Sequence, residues 1–198
     1  MGSGSTSGIT ARRLPPGSHG IPADVVARNQ RERLVAATAE VCAERGYAEA
    51  TVAAVAKRAS VSSLTFYKQF ADKRACVLAA HRELLGRLLE ELDRAREGEG
   101  LPEAKRRVTV RTALAIFAAD APSTQLLTVE ILAAGPEGAK RHDAMVEAFA
   151  ERLGTDWVHA AGMLALVGKR VILGEAGRLP ELADDFVAMR GEVRPPDP

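Results

Sequence analysis

Cysteine is scarce: the 198 residues hold only Cys42 and Cys76. Two thiols cannot build a disulfide framework, and so low a count suits a reducing compartment. Aromatic residues are few as well, 4% of the chain with a single Trp. Long apolar runs are missing. The longest uncharged stretch in the apolar part is Trp157–Gly168, 12 residues, where a membrane-spanning helix needs about 20. No basic stretch followed by an apolar run opens the chain; residues 1–8 are rich in Gly, Ser and Thr. Phosphate-cradling Gly loops, Gly-x-Ser-x-Gly, His-Glu-x-x-His and Cys-x-x-Cys are all absent, so neither an enzyme nor a cofactor is expected. Asp156 and His159 share a helix face at i, i+3, yet no second pair converges on them, and no metal site is expected. No window alternates polar and apolar residues with period 2, so strands are not expected either.

The residues present describe a globular helical chain. The apolar fraction is 46%, and 27 Lys/Arg against 26 Asp/Glu leave a net charge of +1. That near-balance conceals an asymmetry. Residues 1–75 carry 11 Lys/Arg and 6 Asp/Glu, a balance of +5, whereas residues 76–198 carry 16 and 20, a balance of −4. A basic head on an acidic body points to an anionic partner met by the head.

Residues 1–27 read as a flexible arm, with Gly, Ser, Pro15, Pro16 and Pro22 and no helical period. Arg12 and Arg13 lie within it and are candidates for a DNA minor groove. From Asn29 to Arg45, Leu34, Ala37, Thr38, Val41 and Cys42 form one apolar stripe, with Gly46 as a stop. Thr51, Ser62 and Asp72 stand where N-caps would open three further helices, the last running to Glu97. Five more helices are expected over Pro102–Ala119, Pro122–Ala134, Glu137–Leu153, Thr155–Ala176 and Pro180–Met189. The two cysteines fall on apolar helix faces and read as core. The expected fold is all-α, divided into an arm (1–27), a head (28–75) and a helical body (76–198).

Residues 51–70 carry the chemistry. Two short helices meet at the tight turn Ala59-Ser60-Val61. Ala56 is small where they must cross, and Val55, Val61, Phe66 and Phe70 are available to hold the second on the first. This is the construction of a helix-turn-helix. The second helix would expose Ser63, Leu64, Thr65, Tyr67, Lys68 and Gln69, and the helix start at Ser62 adds backbone N–H donors. Hydroxyls, an amide and a cation bond phosphates and base edges.

The stretch from Arg33 to Leu78 resembles the DNA-binding domain of the tetracycline-repressor (TetR) family. The resemblance rests on Gly46-Tyr47, Thr51-Val52-Ala53-Ala54-Val55-Ala56, Ala59-Ser60-Val61-Ser62, Thr65-Phe66-Tyr67-Lys68-Gln69-Phe70 and Asp72-Lys73. The chain departs from the family pattern at Ser60, where glycine is usual, and at Leu64, where a small residue is usual. The resemblance implies phosphate contacts from Thr51, Tyr67 and Lys73, and a major-groove face of Ser63, Leu64, Thr65 and Lys68, with Gln69 at the flank. It also implies a double-stranded DNA operator of near-palindromic sequence, a homodimer, a small-molecule effector and a cytoplasmic, nucleoid-associated repressor with no membrane attachment. A helical protein-interaction module without specific DNA binding is the alternative. For the effector pocket the available side chains are Phe117, Leu127, Ile131, Met145, Phe149, Trp157 and Met163, and their character favours an apolar or amphipathic ligand. For the dimer seam they are Leu164, Val167, Val171, Leu182 and Phe186.

Overall fold

The computed structural model describes residues 22–189, so Arg12 and Arg13 lie outside the described residues. Among those described there are helices and turns and no strand. The α-helices are α1 (Ala23–Glu49), α2 (Val52–Arg58), α3 (Ser63–Gln69), α4 (Lys73–Arg96), α5 (Pro102–Ala119), α6 (Ala121–Thr128), α7 (Pro136–Leu153), α8 (Trp157–Ile172) and α9 (Ala183–Ala188). Two 3-10 segments, Glu130–Ala134 and Ala176–Leu182, follow α6 and α8. No helix of the described residues is long and apolar enough to cross a membrane.

Helix α1 begins at Ala23, earlier than the expected end of the arm at residue 27. Pro22 precedes it with φ −54°, and Asp24 stands in its first turn. A fixed φ and an early acid both favour a helix start. Gly46 breaks α1 with φ 75° and ψ 158°, a conformation open to glycine, and a short helical stretch resumes to Glu49. The head packs α1, α2 and α3 around Leu34, Val41, Val55, Ala56, Phe66 and Phe70, all buried. Cys42 and Cys76 belong to the same core, and burial pushes both thiols up to about 12. Such thiols stay protonated and unreactive.

Helix α4 serves both halves. Cys76, Val77 and Ala80 are buried toward the head, and Leu84, Leu88 and Leu92 further along are buried as well. The expected boundary between residues 75 and 76 therefore falls in the first turn of this helix. In the body, α5, α6, α7 and α8 enclose Leu114, Phe117, Leu126, Ile131, Met145, Phe149 and Leu164. Phe117 and Phe149 stack with ring centroids 5.8 Å apart. Gly138 on α7 lies against the Glu130–Ala134 segment so closely that a Cβ there would overlap the Ile131 carbonyl.

Three expected helices are divided or shortened. The span Pro122–Ala134 breaks at Val129 (φ −127°, ψ −61°) into α6 and a 3-10 segment. The Thr128 hydroxyl bonds back to the carbonyl of Thr124, which bends a last turn. Helix α8 stops at Ile172, with Gly174 at φ 72°, rather than running to Ala176. The last expected helix, Pro180–Met189, is a 3-10 segment containing Pro180 followed by the short α9.

Buried His81 on α4 gives the fold a pH dependence. It is 1% exposed, and its Nε2 has no hydrogen-bond partner. Burial first, then the nearby Arg141 and His142, hold its pKa down at about 4. An unfolded histidine takes up a proton near pH 6.5, while the folded chain refuses it until about pH 4. The stability this carries is complete above pH 6.5 and drains as pH falls toward 4, by about 3 kcal/mol. Urea midpoints from pH 7 to pH 4.5 should fall accordingly, and His81→Leu should flatten that slope; an unchanged slope would contradict the assignment.

Candidate nucleic-acid interface

Three side-chain caps set the head. The Thr51 hydroxyl accepts from the Ala54 N–H at 3.1 Å and opens α2. The Ser62 hydroxyl accepts from the Thr65 N–H at 3.0 Å and opens α3. The Asp72 carboxylate accepts from the Ala75 N–H at 2.7 Å and opens α4. Each cap is worth about 1 kcal/mol. Between α2 and α3 the chain turns at Ser60, the one non-glycine among the described residues with positive φ, 53°. A left-handed serine costs about 1 kcal/mol relative to glycine. Its carbonyl accepts from the Arg33 guanidinium at 3.3 Å.

Helix α3 is anchored on one side and open on the other. Phe66 is fully buried, tilted against Phe70 with centroids 5.6 Å apart and edge-on to Tyr67 at 5.6 Å. Val61 packs against the same core, partly buried. On the outer side Leu64 is 68% and Tyr67 57% exposed. Ser62, Ser63 and Lys68 are exposed too, and Thr65 is half-buried with its hydroxyl 3.0 Å from that of Ser62. Thr51 and Lys57 stand exposed at the two ends of α2. These side chains form one continuous polar face, with Leu64 as its apolar member.

Besides Thr51, Ser62 and Thr65, whose hydroxyls bond within the head, two expected contact residues reach back to α1. Lys73 Nζ donates to the carbonyls of Tyr47 at 2.7 Å and Ala48 at 3.1 Å, and it lies 4.4 Å from the centre of the Tyr47 ring. An ammonium has three donors, so its first duty is to cap the broken end of α1. Gln69 Nε2 donates to the Ala27 carbonyl at 3.4 Å, tying α3 to the start of α1. Other cations of the basic head are also paired internally. Arg58 bridges Glu40 and Glu44 at 2.7 Å each, and Arg31 reaches Glu83 at 2.7 Å while lying 4.6 Å over the Phe70 ring. Lys68 and Lys57 are thus the lysines that face outward beside α3.

In the body, six of the seven residues expected to line a pocket, Phe117, Leu127, Ile131, Met145, Phe149 and Met163, are at most 3% exposed and belong to one packed core. Trp157 departs from them: it is 45% exposed, because it is the first residue of α8 and that helix begins at the surface. Asp156 and His159, weighed as a metal pair, form the cap of this helix instead. The Asp156 carboxylate accepts from the His159 N–H at 2.9 Å and meets its Nδ1 at 2.8 Å, and these bonds hold the carboxyl below its usual range.

Four of the five residues expected at the dimer seam pack inside their own chain. Leu164, Val167, Val171 and Phe186 are at most 7% exposed against their own chain, and Leu182 is half-buried. Helix α8 carries apolar residues on every side, so periodicity alone does not say which side faces inward. Its outward stripe is Val158, Gly162, Ala165, Lys169 and Ile172, continued by Leu173 just past its end; Val158 is 71%, Ile172 58% and Leu173 59% exposed.

One residue that matters to the head escaped sequence reasoning: Glu130, whose carboxylate accepts from the Tyr47 N–H at 2.6 Å. Its signal was a lone acid inside the apolar run 126–132.

Comparison with known proteins agrees with this arrangement. Residues 34–80 match the family described as "Bacterial regulatory proteins, tetR family". A curated relative, the HTH-type transcriptional regulator BetI of Stenotrophomonas maltophilia, is 41% identical over 71 residues, which is 36% of this chain and 36% of that protein. The match thus spans little more than a third of that relative. Two solved structures share the fold over most of the chain. The fatty acid degradation regulator FadR from Bacillus halodurans superposes with a TM-score of 0.71 at 20% identity, covering 83% of this chain and 96% of that one. The transcriptional regulator FadR from Bacillus subtilis, solved in complex with stearoyl-CoA, gives 0.69 at 18% identity, covering 79% and 95%. Family motif, head geometry and overall fold coincide: residues 34–80 match the DNA-binding domain of the tetR family of bacterial regulatory proteins, and the chain as a whole shares its fold with solved regulators.

Proposed function

We propose that this chain is a dimeric DNA-binding repressor that reads a near-palindromic operator with α3 and is released by a small amphipathic effector. The observation that carries the reading is the two-sided construction of α3. Phe66 and Phe70 are buried, and Leu64, Tyr67 and Lys68 are held outward in a polar face at the end of the molecule. Ser63, Leu64, Thr65 and Lys68 meet base edges, and Thr51 and Tyr67 hold phosphates. Lys73 positions the α1–α4 corner and has one donor left for a phosphate. Gln69 acts through α1. Leu64 presents a methyl-rich tip suited to a thymine methyl.

The outward stripe of α8 supports the dimer. A mostly apolar helix face with Gly162 and Ala165 at its middle and Lys169 toward one end allows close approach of a second copy. Two heads on a twofold axis then meet half-sites about 34–36 Å apart. Support for an amphipathic effector is twofold. The body core between α4 and α8 is largely apolar, with the unpartnered Nε2 of His81 and the hydroxyls of Thr124 and Thr128 among its polar members, and one solved relative by fold holds an acyl-CoA.

Selection of genomic fragments by the purified chain across a salt series tests the reading. The expected result is an enriched motif of two inverted half-sites whose binding falls steeply with salt. Failure to enrich any motif would return the chain to a helical interaction module. On the selected fragment, Tyr67→Phe should weaken binding with the salt slope unchanged, since it removes a neutral donor. Lys68→Ala should cost about 1–3 kcal/mol on the selected fragment and relax the preference at the base it meets.

A further inference from the structure

Glu130 is 9% exposed, at the start of the 3-10 segment that follows α6. Its Oε1 accepts from Gln125 Nε2 at 2.9 Å, and its Oε2 accepts from the backbone N–H of Tyr47 at 2.6 Å. Tyr47 directly follows Gly46, the residue at which α1 breaks. The carbonyl of the same Tyr47 accepts from Lys73 Nζ at 2.7 Å. The backbone of this residue is therefore held on one side by the body and on the other by the first residue of α4. At the far end of the same 3-10 segment, the Ala134 carbonyl accepts from Arg74 Nε at 3.1 Å. Between these two attachments Ile131 is fully buried in the body, with Gly138 of α7 packed on its carbonyl. One short segment thus grips the head at both of its ends and is seated by its middle in the body core.

Removing a carboxylate from water is costly, and an apolar residue would pack the same position without that cost. A short charge-assisted bond to a hinge amide is what the charge provides here. We infer that Glu130 is a positioning residue for DNA reading: it locks the Gly46–Tyr47 hinge against the body, so that the packing of the body core sets the aim of α2 and α3. The inference rests on the reading that α3 binds DNA. It identifies the Glu130–Ala134 segment as the link through which the body core holds the head. A locked head also loses less freedom on binding, which favours affinity.

The test compares the full chain with Glu130→Ala, Glu130→Gln and Val110→Ala; the last removes buried volume in α5, away from the segment. Two quantities are read for each: hydrogen exchange of the Tyr47 amide, and affinity for the selected DNA fragment. Glu130→Ala should speed Tyr47 exchange and weaken affinity about tenfold. Glu130→Gln keeps an acceptor oxygen and should recover most of both. Val110→Ala should lower the unfolding midpoint while leaving both nearly unchanged. Unchanged exchange and affinity in Glu130→Ala, or an equal loss in Val110→Ala, would overturn the inference. Should the parent chain bind no fragment, the proposed function falls, and Tyr47 exchange in Glu130→Ala relative to Val110→Ala still decides whether the latch exists.

Discussion

Phe66→Ala is expected to cost about 3–5 kcal/mol of stability and to abolish operator binding. Phe66 is fully buried and meets the rings of Tyr67 in α3 and Phe70 just past its end, both at centroid distances of 5.6 Å. A helix of seven residues has too few backbone bonds to stand alone; it exists because this ring is inserted between α1 and α2. Truncating the ring opens a cavity where the head is thinnest and leaves Tyr67 without the edge that orients it. Urea unfolding and DNA titration of the same sample would show both losses. A midpoint within about 1 kcal/mol of the parent would mean that α3 is held by something other than this ring. Phe66→Leu keeps most of the volume and should lose much less of both.

Arg106→Met is expected to lower stability by about 3–5 kcal/mol, or roughly 10 °C in melting temperature. Arg106 is 6% exposed on α5. Its guanidinium donates to the carbonyls of Leu153 at 2.5 Å, Phe186 at 3.1 Å, Val187 at 3.1 Å and Met189. Those oxygens end α7 and α9, so one fork closes two helix termini at once. Methionine would fill the stem's space and leave the carbonyls without donors. Lysine should recover only part of the loss, because an ammonium on a flexible stem cannot span the four oxygens as a planar fork does. Limited proteolysis should then cut near residues 183–189 faster than in the parent. An unchanged melting temperature and cleavage pattern in Arg106→Met would show that α9 is held by its apolar contacts alone.

The head was legible in the sequence because its signals are local. Thr51, Ser62 and Asp72 each cap the helix they precede, and a cap needs only three residues to recognise. Ser60 was identified as a turn residue in a glycine's place, and it has the positive φ that the place requires. Buried Phe66 and exposed Leu64 follow from the period of α3. What stays illegible shares the opposite cause: each feature depends on a partner distant in the chain. Lys73 reads as a phosphate ligand until the break at Gly46 brings two carbonyls to its ammonium. Helix α8 shows apolar residues on every side, and only the packing of α6 and α7 decides that Leu164 and Val167 turn inward while Val158 and Ile172 turn outward. The break at Val129 has no glycine or proline to announce it, and the duty of Glu130 appears only when Tyr47 arrives from 83 positions away. Arg106 looks like any basic residue in the run Lys105-Arg106-Arg107; its burial is set by α7 and α9.

The sharing of α4 between the two halves has a consequence during synthesis. The chain emerges from the ribosome N-terminus first, and α1, α2 and α3 are complete by residue 69. Their core is not, because Cys76, Val77 and Ala80 close it from α4. The reading surface can therefore set only once the ribosome has moved on into the body. A chain released early, ending after α3, would carry every base-reading residue and no folded head to present them. Interrupted synthesis thus yields unfolded fragments for degradation rather than a folded head cut loose from its body.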